Sequence, residues 1–179
     1  MIIYRTDIIQ GTAEWLKAKA GLWSGSTAIR LLQSKMLLPE SDWGGNDATR
    51  RGQLLEIACI REYERKYRRK VFRPGGVQNT VYPNAWYSPD GIDGGWLLEC
   101  KAFNGTRHED LVAGKIPLAV LVQIYFGMII TGKRKARLLA FNPEYEEQLT
   151  VIEIVYDKSI GNNIRKKLRL DMKNRRTTS

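Results

Sequence analysis

Three ionisable residues near the middle of the chain have the types and the spacing that hydrolytic chemistry requires. Glu99 and Lys101 stand two residues apart, directly after the apolar residues 96–98, and Asp90 precedes them in a turn shaped by proline and glycine. Alternate residues of a β-strand project from the same face, so Glu99 and Lys101 would share one face and Cys100 the other. If the strand that bears Asp90 pairs with this one, the three side chains converge.

Two carboxylates and a lysine on a half-buried face need compensation, because burying unpaired charge is costly. A divalent cation is the natural compensation. Mg²⁺ prefers oxygen ligands and keeps several waters, so two carboxylates, a backbone carbonyl and water are sufficient, and we expect Mn²⁺ to substitute for it. Such an ion activates water, while a lysine orients that water or neutralises the charge that develops on a phosphate. The three residues therefore suggest phosphodiester hydrolysis.

A surface salt bridge between Glu99 and Lys101 would explain the same residues without any chemistry, and Asp90 would then be an ordinary turn residue. The composition of residues 96–98 argues against this alternative. Their sequence, Trp-Leu-Leu, leads straight into Glu99 and predicts a buried strand, where an exposed salt bridge is not expected.

The elements that must position these residues follow from the apolar periodicity and from the turn residues. Helices are expected over residues 12–20, 27–34, 48–69 and 117–130, and a basic helix over residues 162–173. The β-prone runs expected to form a small antiparallel meander are residues 70–72, 77–82, 85–87 and 96–102. Two further strands are expected at residues 136–141 and 148–155. This order predicts an α/β (α+β) fold in which helices flank a central mixed β-sheet.

Length and charge narrow the class of protein. A chain of 179 residues, 43% of them hydrophobic, is long enough to bury a core as one folded domain over residues 1–179. Its formal net charge is +10, and basic residues are concentrated in residues 61–73 and in a tail at residues 158–179. Such charge attracts polyanions through counterion release, which indicates DNA as the partner. The alternative for both segments is a set of solvated helix faces.

Composition also excludes several classes. The chain has two cysteines and one histidine, too few for a structural zinc or an iron–sulfur cluster, which disfavours a RecB-type exonuclease with such a cluster. Cys59 and Cys100 are expected to be free thiols, since the chain shows no export signal and would lie in the cytoplasm. The longest apolar stretch, residues 116–130, is interrupted and too short to span a bilayer, so no membrane contact is expected.

The segment from Asp90 to Lys101 resembles the D-x(n)-E-x-K core of the PD-(D/E)xK nuclease superfamily. More narrowly, its Ser-Pro-Asp-Gly turn and following E-x-K resemble the lambda-exonuclease/YqaJ-like group of phage recombination nucleases. Further segments resemble motifs of that group in the same order along the chain, from about residue 11 to 155: residues 14–16 with Gly21 and Ser26, the G-x-x-x-E helix at residues 52–56, and Gln123 on the helix after the catalytic strand. The resemblance implies a restriction-endonuclease-like core.

The resemblance also implies roles for individual residues. The metal ligands that it implies are Asp90, Glu99, the backbone carbonyl of Cys100 and, directly or through water, Glu56. Lys101 would be the catalytic lysine, and Gln123 would position the attacking water or Lys101. The catalytic set is therefore Glu56, Asp90, Glu99, Lys101 and Gln123.

Three residues match positions that hold the 5′-phosphate of DNA in this group, namely Lys19, Ser26 and Ser88. Lys19 stands where the family motif has an arginine, so it keeps the charge but not the two-pronged guanidinium. Leu121 stands where a second glutamine is often found. Among the remaining residues of interest, His108 is expected to be an exposed residue of a polar loop at residues 104–110. Trp43, in a glycine-rich loop, is a candidate for stacking on a DNA base.

The leading hypothesis is a Mg²⁺-dependent exonuclease that degrades duplex DNA from an end, in the 5′ to 3′ direction, for phage-type recombination or DNA breakdown. A structure- or sequence-selective endonuclease on the same core is the alternative among enzymes. A basic DNA-binding protein with a degenerate nuclease fold is the alternative outside them, and the clustered carboxylates argue against it. The resemblance further suggests a strand-annealing recombination protein as a partner and a ring-shaped homotrimer.

Overall fold

Six α-helices and seven β-strands make up the fold in a computed structural model, which describes residues 1–33 and 47–177. The strands are β1 (Ile2–Arg5), β2 (Gly76–Asn79), β3 (Tyr82–Tyr87), β4 (Gly91–Asp93), β5 (Trp96–Lys101), β6 (Lys135–Phe141) and β7 (Leu149–Val155). The helices are α1 (Ala13–Lys19), α2 (Ala28–Leu32), α3 (Asp47–Tyr67), α4 (Thr106–Val112), α5 (Leu118–Thr131) and α6 (Lys158–Thr177). A short 3₁₀ turn, Gly25–Thr27, precedes α2. The mixed α+β class predicted from the sequence is confirmed.

The strands form two sheets, and the chain passes from one to the other at residues 88–90. β1, β2 and β3 form an antiparallel sheet in that order, and β4, β5, β6 and β7 form a mixed sheet in that order. β5 and β6 are parallel, while the other neighbours in the mixed sheet are antiparallel. A parallel pair needs a long crossover, and α4 and α5 provide it.

The predicted antiparallel meander over residues 70–102 is wrong, because its strands belong to different sheets. β2 and β3 lie in the first sheet, and β4 and β5 lie in the second. The chain changes sheet at Pro89, which has no N–H group to continue a ladder of hydrogen bonds. Residues 70–72 form no strand of their own, since Phe72 makes only an isolated bridge to Ile92.

The loop predicted at residues 104–110 is largely helical, and the structure corrects the prediction for His108. Helix α4 begins directly after Gly105, whose φ of +54° is a conformation that glycine adopts at little cost. His108 is only 1% exposed and packs against Tyr145, with 4.7 Å between the ring centroids. Leu111 is fully buried on the same helix. Two buried residues in two turns are too few to show a helical period in the sequence.

Both ends of the chain hold more regular structure than predicted. Residues 2–5 form β1 at the edge of the first sheet, and its three apolar residues are each 36% exposed. A strand with no alternation of buried and exposed residues gives no period-two signal. α6 begins at Lys158 and not at residue 162, because the Asp157 carboxylate accepts hydrogen bonds from two backbone N–H groups of the first turn.

The mixed sheet carries a different apolar cluster on each face. Leu97 packs in the cluster that contains α5, and Leu98 packs in the cluster that contains α3. Because side chains alternate along β5, Glu99 and Lys101 lie on the α5 face of the sheet. Cys100 lies on the α3 face, as predicted. Strand β5 is therefore covered on both sides, and its charged residues lie under a helix.

Helix α3 presents a narrower apolar stripe to the sheet than predicted. Cys59, Ile60 and Tyr63 are buried. Leu54 and Tyr67, which the periodicity placed on the stripe, are 69% and 38% exposed. The difference has a simple cause, since the helix packs on the sheet through its middle turns and extends beyond the sheet at both ends.

Three further expectations concern the cysteines, the membrane and Trp43. Cys59 and Cys100 are buried free thiols in one cluster, which confirms that prediction. Within the part of the chain that the structure describes, no helix is both long and apolar enough to cross a membrane. Trp43 and most of the loop predicted at residues 39–47 lie outside the described residues, so a stacking role for Trp43 stays a prediction.

Candidate active site

All of the residues predicted to be catalytic or metal-binding line one cavity of about 300 Å³. The bend before β4 supplies one of them, β5 supplies three, and α3 and α5 supply one each. They are Glu56, Asp90, Glu99, Cys100, Lys101 and Gln123, with Gly52 and Ala102 completing the lining. Residues matched one after another along the sequence are thus neighbours in space.

Asp90 is fixed against strand β5 by the bend that joins the two sheets. Its Oδ2 accepts a hydrogen bond from the backbone N–H of Cys100 at 2.6 Å. The next residue must be small, because a Cβ on Gly91 would lie 2.4 Å from Cγ1 of Val71. Burial raises the pKa of Asp90 well above its ordinary value, and the charges of Glu99 and nearby Glu56 raise it further. The charge of Lys101 opposes this shift without cancelling it, so the ionised carboxylate is only partly compensated.

Glu99 is the most enclosed charged group of the cavity, at 1% exposure. Lys101 donates to its Oε1 at 2.7 Å, and the side-chain amide of Gln123 donates to the same oxygen. The hydroxyl of Tyr87 donates to its Oε2 at 2.6 Å. Lys101 also donates to Oε1 of Gln123 at 3.1 Å. Gln123 thus binds both members of the pair at once, which orients them relative to each other.

The environment of Lys101 keeps its ammonium group charged. Burial lowers the pKa of Lys101, but the neighbouring carboxylates of Glu99 and Asp90 raise it by more, so the net shift is upward. A lysine with a raised pKa is a poor general base. It is suited instead to neutralising negative charge that develops on a phosphate.

Tyr87 is a site residue that the sequence did not reveal. It is 1% exposed, and burial together with the charge of Glu99 raises the pKa of its phenol, so the hydroxyl remains a hydrogen-bond donor. Its ring fits between two glycines. A Cβ on Gly127 would lie 2.4 Å from its Cζ, and a Cβ on Gly25 would lie 2.9 Å from its Cε2. In the sequence, Tyr87 is recognisable only as an aromatic residue at the end of a predicted strand.

Arg73 is the second site residue that could not be identified from the sequence, where it is one of several basic residues in the segment 61–73. Its Nη2 donates to Oε1 of Glu56 at 2.8 Å, and its Nε donates to the backbone carbonyl of Asp90 at 3.0 Å. Burial raises the pKa of Glu56, and Arg73 opposes that shift. The arginine therefore connects the acidic residue of α3 to the bend that holds Asp90.

The donor atoms of the cavity fit a Mg²⁺ ion. The three carboxylates of the cavity offer oxygen, which is the donor that Mg²⁺ prefers, and the backbone carbonyl of Cys100 is the further ligand that the sequence resemblance predicts. The carboxyl groups of Glu56, Asp90 and Glu99 outnumber the two cations beside them, and the raised pKa values of Glu56 and Asp90 indicate that their ionised forms need a further cation. Among the described residues no three Asp, Glu, His or Cys side chains could hold an ion by themselves. Water and the backbone carbonyl would have to complete the ligand set.

The three residues predicted to bind a 5′-phosphate lie outside this cavity lining. Ser88 accepts hydrogen bonds from the indole N–H groups of Trp15 and Trp86, both at 2.8 Å, and donates to a backbone carbonyl. Its hydroxyl would have to exchange a partner to bind phosphate. The ammonium of Lys19 lies 3.5 Å from the ring centroid of Trp15, and burial lowers its pKa. Ser26 is exposed in the 3₁₀ turn. Their phosphate role stays a prediction.

The arrangement of strands and helices is that of an alkaline exonuclease. The chain is similar in structure to LHK-Exo from Laribacter hongkongensis, with a TM-score of 0.75 and 19% identity over 91% of this chain and 92% of that one. The structure of LHK-Exo in complex with dAMP gives a TM-score of 0.77 and 21% identity over the same shares. A phage-related exonuclease from Haemophilus somnus gives a TM-score of 0.58 and 12% identity, over 94% of this chain and 88% of that one. At these identities the likeness establishes the fold.

The family follows from the sequence itself. The model of the YqaJ-like viral recombinase domain matches residues 14–134. This protein therefore belongs to the family of YqaJ-like viral recombinase domains, and the resemblance noted in the sequence is confirmed. Comparison with the sequences of curated proteins gives no match.

Proposed function

We propose that this protein is a Mg²⁺-dependent DNA exonuclease that hydrolyses phosphodiester bonds of duplex DNA from an end. The observation that carries the proposal is the state of Glu99, a carboxylate at 1% exposure that is bound by Lys101, Gln123 and Tyr87. Burying such a group costs stability, and buried ionisable groups of this kind cluster at functional sites. Membership of the YqaJ-like family, and a fold shared with proteins described as exonucleases, support the same reading.

The ligands of the metal would be Asp90, Glu99 and the carbonyl of Cys100, with Glu56 joining them directly or through water. When bound there, Mg²⁺ would polarise the phosphate and lower the pKa of a water molecule. The remaining work falls to side chains of the chain itself. The ammonium of Lys101 neutralises negative charge on the phosphate as the water oxygen forms its bond to phosphorus and the bond to the leaving oxygen breaks.

The neighbouring residues hold these groups in place. Gln123 fixes the distance between Lys101 and Glu99 because it binds both. Tyr87 holds the second oxygen of Glu99, and Arg73 holds Glu56. Groups held in this way need no rearrangement when charge develops, which is the main source of electrostatic catalysis.

The choice of DNA end rests on the family resemblance. We propose 5′ to 3′ degradation, with Lys19, Ser26 and Ser88 near the 5′-phosphate. Lys19 and Ser88 contact the same Trp15 side chain, Lys19 over its ring and Ser88 at its indole N–H, so Trp15 connects the two residues. A homotrimer, a strand-annealing partner and a role in phage-type recombination are further expectations from the same resemblance.

One experiment separates the candidate activities. Linear duplex DNA and covalently closed circular DNA are incubated with the protein in Mg²⁺, in Mn²⁺ and in EDTA. We expect loss of linear DNA alone, with no cleavage in EDTA, and faster loss of ends that carry a 5′-phosphate. Nicking of circles would indicate an endonuclease on the same core. Binding without cleavage in either metal would contradict an enzymatic function.

A further inference from the structure

A second cavity lies at the C-terminal end of helix α5, where Gly132 is roughly 13 Å along the helix from Gln123 at 1.5 Å per residue. It measures about 290 Å³ and lies where the end of α5 meets α6 and the start of β3. The cationic side chains that line it are Lys133, Arg134, Arg165 and Arg169. None of the described residues in its lining is acidic. We call it the basic cavity.

Tyr82 gives this cavity an unused hydrogen-bond donor. The residue is 2% exposed and lies in the cavity lining. Its hydroxyl has no hydrogen-bond partner among the residues that the structure describes. A buried hydroxyl without a partner costs free energy, and almost all such groups in folded proteins are satisfied by protein, water or ligand. A ligand oxygen is the partner that the surrounding cations favour.

The guanidinium of Arg165 is fixed in a position that suits the binding of an oxyanion. Its Nε donates to the hydroxyl of Tyr156 at 3.2 Å. Tyr156 can lie there only because residue 161 is glycine, since a Cβ on Gly161 would be 1.9 Å from the tyrosine oxygen. The hydroxyl of Tyr82 is a further neighbour of the Arg165 guanidinium, and no ion pair of Arg165 is found among the described residues. A guanidinium fixed at one side and open at the other binds phosphate through two parallel hydrogen bonds.

The basic cavity continues into a larger groove along α6. That groove measures about 570 Å³, and its lining includes Arg165, Arg169 and Lys173. These three recur every four residues, so they follow one stripe of the helix at intervals of about 6 Å. α6 carries eight basic residues and a single acidic one, Asp171, which already binds Asn84 and Arg175. The stripe is longer than a single phosphate requires, which points to a chain of phosphates.

We propose that the basic cavity and the adjoining stripe of α6 bind phosphodiesters of a DNA strand outside the active site, with Tyr82, Arg165 and Arg169 as the phosphate contacts. The proposal rests on the proposed function in taking DNA as the ligand. Tyr82 lies within residues 14–134, which match the YqaJ-like domain, whereas Arg165 and Arg169 on α6 lie beyond them. It supplies affinity and leaves the chemistry to the cavity around Glu99.

The test compares two variants of equal charge loss. Arg165→Ala with Arg169→Ala removes two cations from the site, and Arg61→Ala with Lys70→Ala removes two exposed cations elsewhere. Binding of a fluorescent duplex is measured in EDTA over a range of salt concentrations. For the site variant we expect about 10-fold weaker binding, and a slope of log K against log salt that is smaller by about 2. The control pair should leave the slope nearly unchanged.

A milder variant guards against misfolding. Tyr82→Phe removes only the hydroxyl and keeps the ring, so circular dichroism should match that of the wild type. We expect it to weaken DNA binding about threefold, the loss of one hydrogen bond. The cleavage rate at saturating DNA should be unchanged in Tyr82→Phe and in the double site variant, because neither touches the catalytic cavity.

Each other outcome has a definite meaning. If the wild type binds no DNA, the proposed function fails with this inference. If the wild type binds and cleaves DNA but the site variants behave like the control, this inference alone is wrong. Thermal stabilisation by inorganic phosphate at constant ionic strength, lost in the site variant with DNA affinity intact, would overturn it in favour of a small-anion site. Loss of self-association with DNA affinity intact would overturn it in favour of a protein interface.

Discussion

The middle and the C-terminal end of helix α5 face cavities with opposite electrostatic arrangements. Around Gln123, carboxylates outnumber cations, and Lys101 and Arg73 are already bound to Glu99 and Glu56. At the far end, the basic cavity is lined by cations, and its described lining contains no carboxylate. The same helix therefore lies beside a cavity suited to a reaction and a cavity suited to binding. Charges fixed by protein partners suit a reaction, and cations left open suit the binding of a polyanion.

The two basic segments of the sequence differ in the same way. Within residues 61–73, four cations form ion pairs: Arg65 with Glu62, Lys66 with Glu147, Arg69 with Asp93, and Arg73 with Glu56. In α6, Arg175 pairs with Asp171, the one acidic residue of this helix. Similar runs of basic residues therefore do different things. Four cations of the first segment are paired with carboxylates, one of which is Glu56 of the candidate active site, whereas the second segment contributes Arg165 and Arg169 to the basic cavity.

The largest expected effect is the loss of cleavage when Glu99, in the acidic cavity, loses its charge. Glu99→Gln keeps the shape of the side chain but removes the charge that Lys101 and the metal would bind. We expect single-turnover cleavage to fall at least about 1,000-fold. DNA affinity in EDTA should change by less than about threefold, since no phosphate-binding cation is lost. Glu146→Gln, an exposed residue, is the control and should cleave at the wild-type rate. Wild-type cleavage by Glu99→Gln would remove the acidic cavity from the chemistry.

The next effect concerns the packing that holds Tyr87. Gly127→Ala would place a Cβ 2.4 Å from Cζ of Tyr87 and displace the ring that donates to Glu99. We expect the free energy of unfolding to fall by about 1–3 kcal/mol, together with slower cleavage. Gly95→Ala meets no atom within 4 Å and serves as the control. Urea denaturation and cleavage of linear DNA measure the two effects. Unchanged cleavage in a destabilised Gly127→Ala protein would show that Tyr87 does not position Glu99.

The smallest expected effect is a gain of stability. Because the pKa of Asp90 is raised in the folded protein, the folded state keeps a proton that the unfolded chain releases. Metal-free stability therefore falls as pH rises from the ordinary value of 3.8 through the raised pKa. Asp90→Asn removes this loss, so in EDTA near neutral pH it should be more stable than the wild type by on the order of 1 kcal/mol.

The melting temperature with and without metal tests this prediction. One kcal/mol corresponds to roughly 2–4 °C for a chain of this size. Mg²⁺ should raise the melting temperature of the wild type and leave that of Asp90→Asn nearly unchanged, because only the former retains the ligand. A lower melting temperature for Asp90→Asn in EDTA would show that the carboxylate is already compensated in the metal-free protein.

The sequence could predict the parts of the site that sit on one element. The spacing of Glu99 and Lys101 places them on one face, and the apolar run before them predicts a buried strand. The helix with Gln123 was predictable as well, because it is largely apolar and is followed by Gly132, which takes the left-handed conformation that closes a helix.

The rest of the site depends on contacts between distant segments, which leave no local signal. Ser88 contacts Trp15 from 73 residues away, and Arg73 contacts Glu56 from 17 residues away. Tyr87 acts on a carboxylate in a different sheet. The change of sheet at residues 88–90 could not be predicted, for the same reason. Turn residues show where a strand ends, but not which sheet the next strand joins.

The most direct test of the account is cleavage by Lys101→Ala compared with Lys115→Ala. Both variants lose one lysine that is paired with a carboxylate, but Lys115 lies on the surface with Asp110. Single-turnover cleavage of linear duplex DNA in Mg²⁺ is measured beside DNA affinity in EDTA. We expect Lys101→Ala to lose cleavage at nearly unchanged affinity, and Lys115→Ala to retain both. Cleavage by Lys101→Ala at the wild-type rate would contradict the assignment of the active site.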